Sequence, residues 1–355
     1  MSRQTLLTAI AAASKAVVGA KSPKPVLRNV RIGDGLVTGT DLELRIDVAI
    51  EQHCEPFLVP AERLLQILRS SQSEDVSLTA GNTSIAVKCG LGSWTLPTED
   101  VNEFPTWEPE GLAAVARLPA DQFARAARAT VYATDNESSR YALGGVLLDV
   151  HEGNPTFVAT DGRRLSLVET ETDQAVDDRQ VIVPSRVMLA AAGMASGDGS
   201  VQIEANSSEV RFELAGMTVT GRLVEGRFPK WRDVVGEPEG DATTLDVHEL
   251  LAAVQSAAIV TSEQSKGVNL KWASDTLVLS GHSSEYGEST VKCPVLNAGT
   301  TSSTKADPKF IIDFLRHIPS DEEPHVDIYA VDPQSRVLMR CGPYTGVIMP
   351  LAEDA

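Results

Sequence analysis

The strongest constraint in this sequence is a pattern that recurs three times at nearly equal spacing. A short apolar segment leads into an amphipathic helix at Val59, at Val183 and, in a looser version, at Ala306, so the starts are 124 and 123 residues apart. In the first two copies a proline follows the valine, at a position where a helix tolerates it. Self-similarity at a fixed period indicates a tandem array of one structural unit. The 355-residue chain is therefore predicted to contain three copies.

The segments after these helices repeat as well. In each copy two runs alternate apolar and polar residues, which is the period of a half-buried strand, and a turn separates them. The paired runs are 76–79 with 84–87, 201–204 with 209–212, and 326–329 with 336–339. Three β-hairpins are therefore expected in equivalent places.

A longer amphipathic helix precedes each apolar segment. Apolar residues recur at helical spacing around Leu6 and Ile10, around Phe123 and Ala127, and around Leu250 and Val254. Further strands fill the space between this helix and the next. The predicted fold class is α+β, with two helices plus antiparallel sheets in each copy. The predicted domains are 1–117, 118–241 and 242–355, joined by linkers at 112–118 and 236–241.

The distribution of charge carries more information than its sum. A formal net charge of -18 argues against binding to phosphates, which normally depends on Lys and Arg. Yet five of the six predicted helices are basic, and several carry acids only in the first turn, where acids stabilise the helix dipole. The basic residues on these helices are Arg3, Lys15, Arg63, Arg69, Arg125, Arg128, Arg186, Lys309 and Arg316. A solvated face explains any single helix, but the shared bias favours a common basic surface for duplex DNA.

Several sequence motifs resemble one family in order and spacing. They are Thr40-Asp41-Leu42-Glu43, Arg140-Tyr141-Ala142-Leu143-Gly144-Gly145, Thr160-Asp161-Gly162-Arg163-Arg164-Leu165, Glu225-Gly226-Arg227-Phe228-Pro229 and Val347-Ile348-Met349-Pro350-Leu351. Together they resemble the bacterial DNA polymerase III β subunit family, the sliding clamps. The likeness runs from about residue 5 to Leu351. The co-linear set is specific, although no single hexapeptide is.

The resemblance implies a head-to-tail homodimer in which six domains close into a ring around double-stranded DNA. Such a ring slides without sequence specificity and tethers the polymerase. The implied partners are the DNA polymerase III α subunit, a separate clamp loader and other proteins with a clamp-binding motif. No cofactor, metal or catalytic residue is implied.

The resemblance also implies a hydrophobic cleft for partner peptides between the second and third domains. The matching residues are Leu143, Thr160, Gly162, Arg163, Arg164, Leu165, Pro229, Val234, Phe310, Val347, Ile348, Met349, Pro350 and Leu351. A methionine in an apolar floor suits peptides of varied sequence. Two departures from the family pattern predict a different peptide preference. Ser265 stands where an aromatic residue is expected in the wall of the cleft, and Asp233 stands where a basic residue is expected. The tail also runs past Leu351 and adds acids.

Two further sites follow from the resemblance. The dimer interface is expected to join Trp94 and Leu96 to Ile259 and Val260. The residues expected to contact DNA are Lys21, Arg125, Arg128, Arg140, Tyr141 and Arg186.

Two other functions remain open from the residues alone. A hydrolase or transferase could use Asp41 with Glu43, or Asp161, as an acid, base or metal ligand, although Asp-Gly more often forms a turn. A repeat scaffold that binds peptides without encircling DNA would share the fold. The four cysteines have no metal-site spacing, and no apolar run is long enough for a membrane span, so we expect a cytoplasmic protein.

Overall fold

A computed structural model describes residues 1–19, 23–135, 141–172, 177–195, 197–262, 267–273, 275–300, 302–319 and 324–352. The chain divides into two compact units. The first contains 1–124 and 186–223, and the second contains 125–172, 177–185 and 224–355.

Seven α-helices lie within the described residues. They are α1 (Arg3–Ala13), α2 (Ala61–Ser70), α3 (Ala120–Val131), α4 (Ser185–Ala192), α5 (Trp231–Val235), α6 (Val247–Ala257) and α7 (Pro308–Arg316). Their starts follow ordinary capping chemistry. The side chains of Ser2, Asp246 and Asp307 accept hydrogen bonds from the first-turn amides of α1, α6 and α7. Each helix of the repeats buries an apolar face.

The strands account for most of the remaining structure. In chain order they are β1 (Asn29–Gly33), β2 (Leu36–Thr40), β3 (Leu44–Ala49), β4 (Phe57–Pro60), β5 (Val76–Ala80), β6 (Ser84–Cys89), β7 (Gly92–Pro97), β8 (Ala113–Pro119), β9 (Gly145–His151), β10 (Asn154–Thr160), β11 (Arg164–Glu169), β12 (Arg179–Pro184), β13 (Ser200–Ala205), β14 (Glu209–Leu214), β15 (Met217–Arg222), β16 (Thr243–Asp246), β17 (Val268–Trp272), β18 (Thr276–Ser283), β19 (Gly287–Pro294), β20 (Thr304–Ala306), β21 (His325–Tyr329), β22 (Val337–Cys341) and β23 (Tyr344–Ile348). The three predicted hairpins are β5–β6, β13–β14 and β21–β22.

Two antiparallel sheets of eight strands each join consecutive repeats. In the first unit the order is β4-β1-β2-β3-β15-β14-β13-β8, and in the second it is β12-β9-β10-β11-β23-β22-β21-β16. The first half of one repeat therefore pairs with the second half of the next, through β3–β15 and β11–β23. Two shorter sheets remain, β5-β6-β7 in the first unit and β19-β18-β17-β20 in the second.

The cores lie between helices and sheets and are mainly aliphatic. Leu6, Ile10 and Leu64 are fully buried in the first unit. Phe123 and Phe212 also pack there, with ring centroids 5.4 Å apart. These contacts hold the helices on the sheet, so their basic faces remain outside.

Three details differ from the sequence prediction. The predicted linker at 112–118 is mostly strand β8, whose residues pair with β13. Lys15 lies in a short 3-10 turn (Ser14–Ala16) after α1, not in the α-helix. Helix α5 was not predicted, because five residues are too few to show a helical period. The predicted linker at 236–241 has no regular structure, and the exact domain boundaries stay a prediction.

Candidate functional site

The turn between β10 and β11 is built by the side chains of its own sequence. Asp161 Oδ1 accepts hydrogen bonds from the amides of Arg163 and Arg164, both at 2.9 Å. Thr160 Oγ1 donates to the Arg164 carbonyl oxygen at 2.6 Å and accepts from the Gly162 amide at 3.1 Å. Gly162 has a φ of +87°, which glycine adopts without steric cost. The turn is therefore fixed, with Gly162 and Arg163 exposed at its tip.

Arg164 connects this turn to the third repeat. Its side chain is only 8% exposed and forms ion pairs with Asp161 Oδ2 at 3.0 Å and Asp313 Oδ2 at 2.7 Å. It also donates to the Tyr132 carbonyl oxygen at 2.6 Å. The guanidinium lies 4.6 Å from the ring centroid of Phe310. A buried arginine with all these partners fixes β11 against α7.

Tyr132 forms the other side of this cluster. Its ring stacks on His317 with centroids 4.7 Å apart, and the Arg164 guanidinium lies 5.2 Å from its ring centroid. Burial raises the pKa of the Tyr132 phenol well above its usual range. The phenol therefore stays neutral at physiological pH.

The C-terminal segment lies along this same region. Strand β23 pairs with β11, with Val347 opposite Leu165 and Ile348 opposite Arg164. Beyond the strand, the Met349 amide donates to the Arg163 carbonyl oxygen at 2.9 Å. Two residues later the Leu351 amide donates to the carbonyl oxygen of Lys305 in β20 at 2.8 Å. The tail is thus anchored as far as Leu351.

An apolar floor joins these elements. Leu165 and Val347 belong to one buried cluster with Leu147 and with Phe228 and Val235 from the segment 224–235. Close to cluster residues in the chain, Val234 beside Val235 is 41% exposed, and Met349, two residues after Val347, is 44% exposed. Exposed apolar side chains on a buried apolar floor suit the capture of a hydrophobic peptide.

The other predicted cleft residues are placed as follows. Leu143 is buried in the 3-10 turn Tyr141–Gly144, next to Ala142, which packs against the cluster. Phe310 is buried in α7, and the Arg163 guanidinium lies 5.6 Å from its ring centroid. Pro229 is exposed on the segment 224–235, whereas Pro350 is half-buried. All fourteen residues lie in the second unit. Their role in peptide binding stays a prediction.

The two predicted departures have different outcomes. Asp233 is exposed in α5, next to Val234, so the acid does stand at the surface beside the floor. Ser265 lies outside the described residues.

The basic residues lie on the outer faces of the helices. Arg125 and Arg128 are exposed on α3, as is Arg316 on α7. Arg186 on α4 forms an ion pair with Asp41 and donates to the Lys15 carbonyl oxygen at 3.2 Å. Lys21 and Arg140 lie outside the described residues. Tyr141 begins a 3-10 turn, and its side chain is not described.

The residues predicted for the dimer interface lie beside open sheet edges. Trp94 and Leu96 are half-buried in β7, the edge strand of the three-stranded sheet. Ile259 is 78% exposed, and with Val260 it forms a 3-10 turn packed against β18 and β19. Strand β19 is the edge of the four-stranded sheet.

Two carboxylates of the enzyme hypothesis, those of Asp41 and Asp161, accept backbone hydrogen bonds within their own turns. Asp41 Oδ1 accepts the amides of Glu43 and Leu44 at 3.0 and 2.8 Å, as Asp161 does in the second repeat. Among the described residues no group of His, Cys, Asp and Glu is arranged to hold a metal ion. In the same part of the chain, no helix is long and apolar enough to cross a membrane.

Comparison with known proteins decides the family. Residues 1–108 match the N-terminal domain of the DNA polymerase III β subunit, and residues 117–230 match its central domain. The chain belongs to the bacterial β sliding clamp family. The beta sliding clamp of Pseudomonas putida is 29% identical over 310 residues, which cover 84% of each chain. That of Caulobacter vibrioides is 27% identical over 341 residues, covering 92% of this chain and 91% of its relative.

A solved sliding clamp has the same fold over nearly the whole chain. The Pseudomonas aeruginosa clamp bound to griselimycin superposes with a TM-score of 0.92 at 27% identity, covering 99% of this chain and 98% of that one. The three-domain clamp fold, expected from the repeats together with the family resemblance, is thereby confirmed.

Several important residues were missed from the sequence. Asp313 is in the middle of α7, four residues after Lys309, and this spacing is typical of an ordinary surface ion pair. Tyr132 and Trp231 carry no local motif. The sequence does not indicate that Arg164 and Asp313 are in contact, because the two residues are far apart in the chain and approach each other only through the pairing of β11 with β23.

Proposed function

We propose that this chain forms a closed ring with a second copy of itself and slides on duplex DNA as the processivity factor of the replicative polymerase. One observation carries the proposal. Two junctions between repeats are continuous eight-stranded sheets. The second half of the first repeat and the first half of the third repeat instead form the two shorter sheets, which expose the edge strands β7 and β19. Open edge strands invite pairing with another chain. A head-to-tail dimer would complete both edges and make all junctions alike.

The strand pairing at the two junctions within the chain predicts the register of the proposed junction between two chains. The strands β7, β15 and β23 each follow a two-residue turn, so Trp94 corresponds to Val219 and Gly346. Val219 pairs with Ile46, and Gly346 pairs with Ser166. The equivalent residue on β19 is Ser289.

A shared hydrogen bond supports that equivalence. Ser166 Oγ donates to the Ala129 carbonyl oxygen at 2.7 Å, and Ser289 Oγ donates to the Ala257 carbonyl oxygen at 2.8 Å. Trp94 is therefore expected opposite Ser289, and Thr95 opposite Glu288. The burial pattern agrees, because Trp94 and Ser289 are both half-buried while Thr95 and Glu288 are both exposed.

A disulfide tests this seam directly. Cysteines at Thr95→Cys and Glu288→Cys would lie within the Cα separation that a disulfide permits, up to about 7 Å. Oxidation should yield a covalent dimer, in a background where the half-buried Cys54 and Cys341 are serine. The matched control is Thr95→Cys with Lys292→Cys, which is about 13 Å further along the same strand.

The outcomes separate the hypotheses. Crosslinking by the first pair and not by the control supports the seam and its register. A monomeric mass by light scattering with no crosslink would contradict the ring and favour a peptide-binding scaffold.

The exposed arginines support the DNA-binding part of the proposal. Contacts from scattered Arg and Lys to phosphates give affinity without reading bases. In a ring these contacts need only be weak, since topology prevents dissociation. Lys21, Arg140 and Tyr141 are included in this proposed surface by the resemblance alone. Loading would require a separate clamp loader.

The exposed apolar residues support the partner-binding part. We assign the cleft around Met349 and Val234 to a short segment of the polymerase III α subunit and of other proteins with a clamp-binding motif. The chain would act without an active site, and its free cysteines suit the cytoplasm.

A further inference from the structure

A second hollow lies beside the proposed peptide cleft, over the end of the same sheet that is formed by β12 and β9. It has a volume of about 330 Å³ and is roofed by residues 227–233 above β9 and β12. Leu147 is buried at its floor, and Phe228 and Trp231 form its apolar walls. Leu147 and Phe228 also belong to the buried cluster that floors the cleft, and Pro229 borders both, so the hollow adjoins the cleft and differs from it in Trp231 and in its basic rim.

A buried carboxylate fixes the shape of this hollow. Asp149 is 2% exposed on β9. Its Oδ2 accepts hydrogen bonds from Trp231 Nε1 at 2.9 Å and from the Arg232 guanidinium at 2.6 Å. The Arg232 guanidinium also lies 4.2 Å from the ring centroid of Trp231. These contacts hold the indole in place over the sheet, so the hollow is pre-formed.

The rim of the hollow is basic in a protein of net charge -18. Arg227, Lys230 and Arg232 line it, against one lining acid, Asp233. The Arg232 side chain is engaged by Asp149, whereas the side chains of Arg227 and Lys230 are exposed and make no hydrogen bond or ion pair with the described residues. Two cations thus remain available on a surface where cations are scarce.

We propose that this hollow binds acidic residues that flank the cleft-binding motif of a partner peptide. The inference rests on the proposed function of the cleft and extends it. Charge complementarity selects the occupant, because Arg227 and Lys230 pair with carboxylates and repel basic chains. The sheet order supplies the geometry, since β9 is separated from β11 by β10 alone. Strands β9 and β11 are therefore about 10 Å apart, a distance that about three residues of extended peptide span.

Asp233 gives this arrangement a consequence for specificity. It stands beside the cleft where related sequences are expected to carry a base, so an acidic peptide residue would be repelled there. The cations at Arg227 and Lys230 move the favourable position for an acid outward, to the flank. Asp233 therefore disfavours an acid close to the motif, whereas Arg227 and Lys230 favour an acid in the flank.

The test measures peptide affinity by fluorescence anisotropy. The probes carry the clamp-binding segment of the organism's own polymerase III α subunit, extended at either end by three aspartates or by three serines. The proteins are the natural chain, Arg227→Ser with Lys230→Ser, and a control of equal charge, Lys88→Ser with Lys271→Ser. Lys88 and Lys271 are exposed on β6 and β17, and neither lines the hollow.

The acid-flanked probe at one end should bind the natural chain more tightly than its serine counterpart. Two exposed ion pairs correspond to about twofold to thirtyfold in affinity at low salt, falling towards onefold at high salt. The advantage should vanish in Arg227→Ser with Lys230→Ser and persist in the control. Binding of the serine-flanked probe should not change.

Three results would overturn the inference or separate it from the cleft proposal. An acidic advantage that survives in Arg227→Ser with Lys230→Ser would place the contact elsewhere. Equal affinity of both probes for the natural chain would reject the hollow and leave the cleft intact. Failure of every probe to bind would reject the cleft, and the inference would fall with it.

Discussion

Replacing Arg164 by alanine is the substitution whose effect the structure specifies best. It would leave two partly buried carboxylates without this cation, since Asp161 and Asp313 are 13% and 21% exposed. Removing one partner of a buried ion pair costs about 3–5 kcal/mol. The lower end applies here, because Asp161 still accepts two amides and Lys309 still lies 3.2 Å from Asp313. We expect a loss of about 3 kcal/mol, or on the order of a hundredfold in the local opening equilibrium.

Hydrogen exchange measures this opening where it occurs. Amides of β11 and α7 in Arg164→Ala should exchange up to about a hundredfold faster, while β13 and β14 in the first unit should not change. Arg163→Ala is the matched control, since Arg163 is exposed and its closest described aromatic contact is Phe310 at 5.6 Å. That control should change exchange about twofold.

A double-mutant cycle assigns the effect to the pair. Asp313→Asn should cost much less in the Arg164→Ala background than in the natural chain, because the charge it removes no longer has its buried partner. Equal exchange in Arg164→Ala and Arg163→Ala, or additive effects in the cycle, would refute the assignment of Arg164 as the link between β11 and α7.

Three further predictions concern single groups. Gly162→Ala should destabilise the second unit by about 1–2 kcal/mol because of its positive φ, whereas Leu42→Gly, at a φ of +82° in the corresponding turn, should not destabilise the first; thermal melts compare them. Burial raises the pKa of the Cys293 thiol to about 11 from 9.0, and the residue is 1% exposed, so alkylation at pH 8 should be at least about a hundredfold slower than in the unfolded chain, as followed by mass spectrometry. Trp231→Phe removes a donor to buried Asp149 and should cost about 1.5–3 kcal/mol, read as a lower denaturation midpoint of the second unit, and no shift would contradict the anchoring role.

The sequence predicted the local elements well because each has its own periodic signal. The hairpins alternate polar and apolar residues, and the buried faces around Leu6, Phe123 and Leu250 recur at helical spacing. The co-linear set of motifs, which includes those around Thr160 and Val347, was specific enough to predict the family, which the comparisons confirm.

The pairing of strands across repeats could not be derived from local patterns. Contacts such as Val347 with Leu165 join residues far apart in the chain, and alternation alone does not say which strand is the neighbour. The same holds for 112–118, which the sequence predicts as a linker, because the pairing of β8 with β13 is also long-range. The ion pair of Arg164 with Asp313 depends on that long-range pairing and was equally hidden.

The central claim, that the protein encircles DNA, is tested most directly by changing the topology of the DNA. The protein is loaded on nicked circular duplex with a clamp loader and ATP, and the DNA is then linearised. Retention on the circle and loss from the linear form is the result we predict, because a ring leaves only over a free end. Equal retention on both forms would show ordinary surface binding and would contradict the sliding ring.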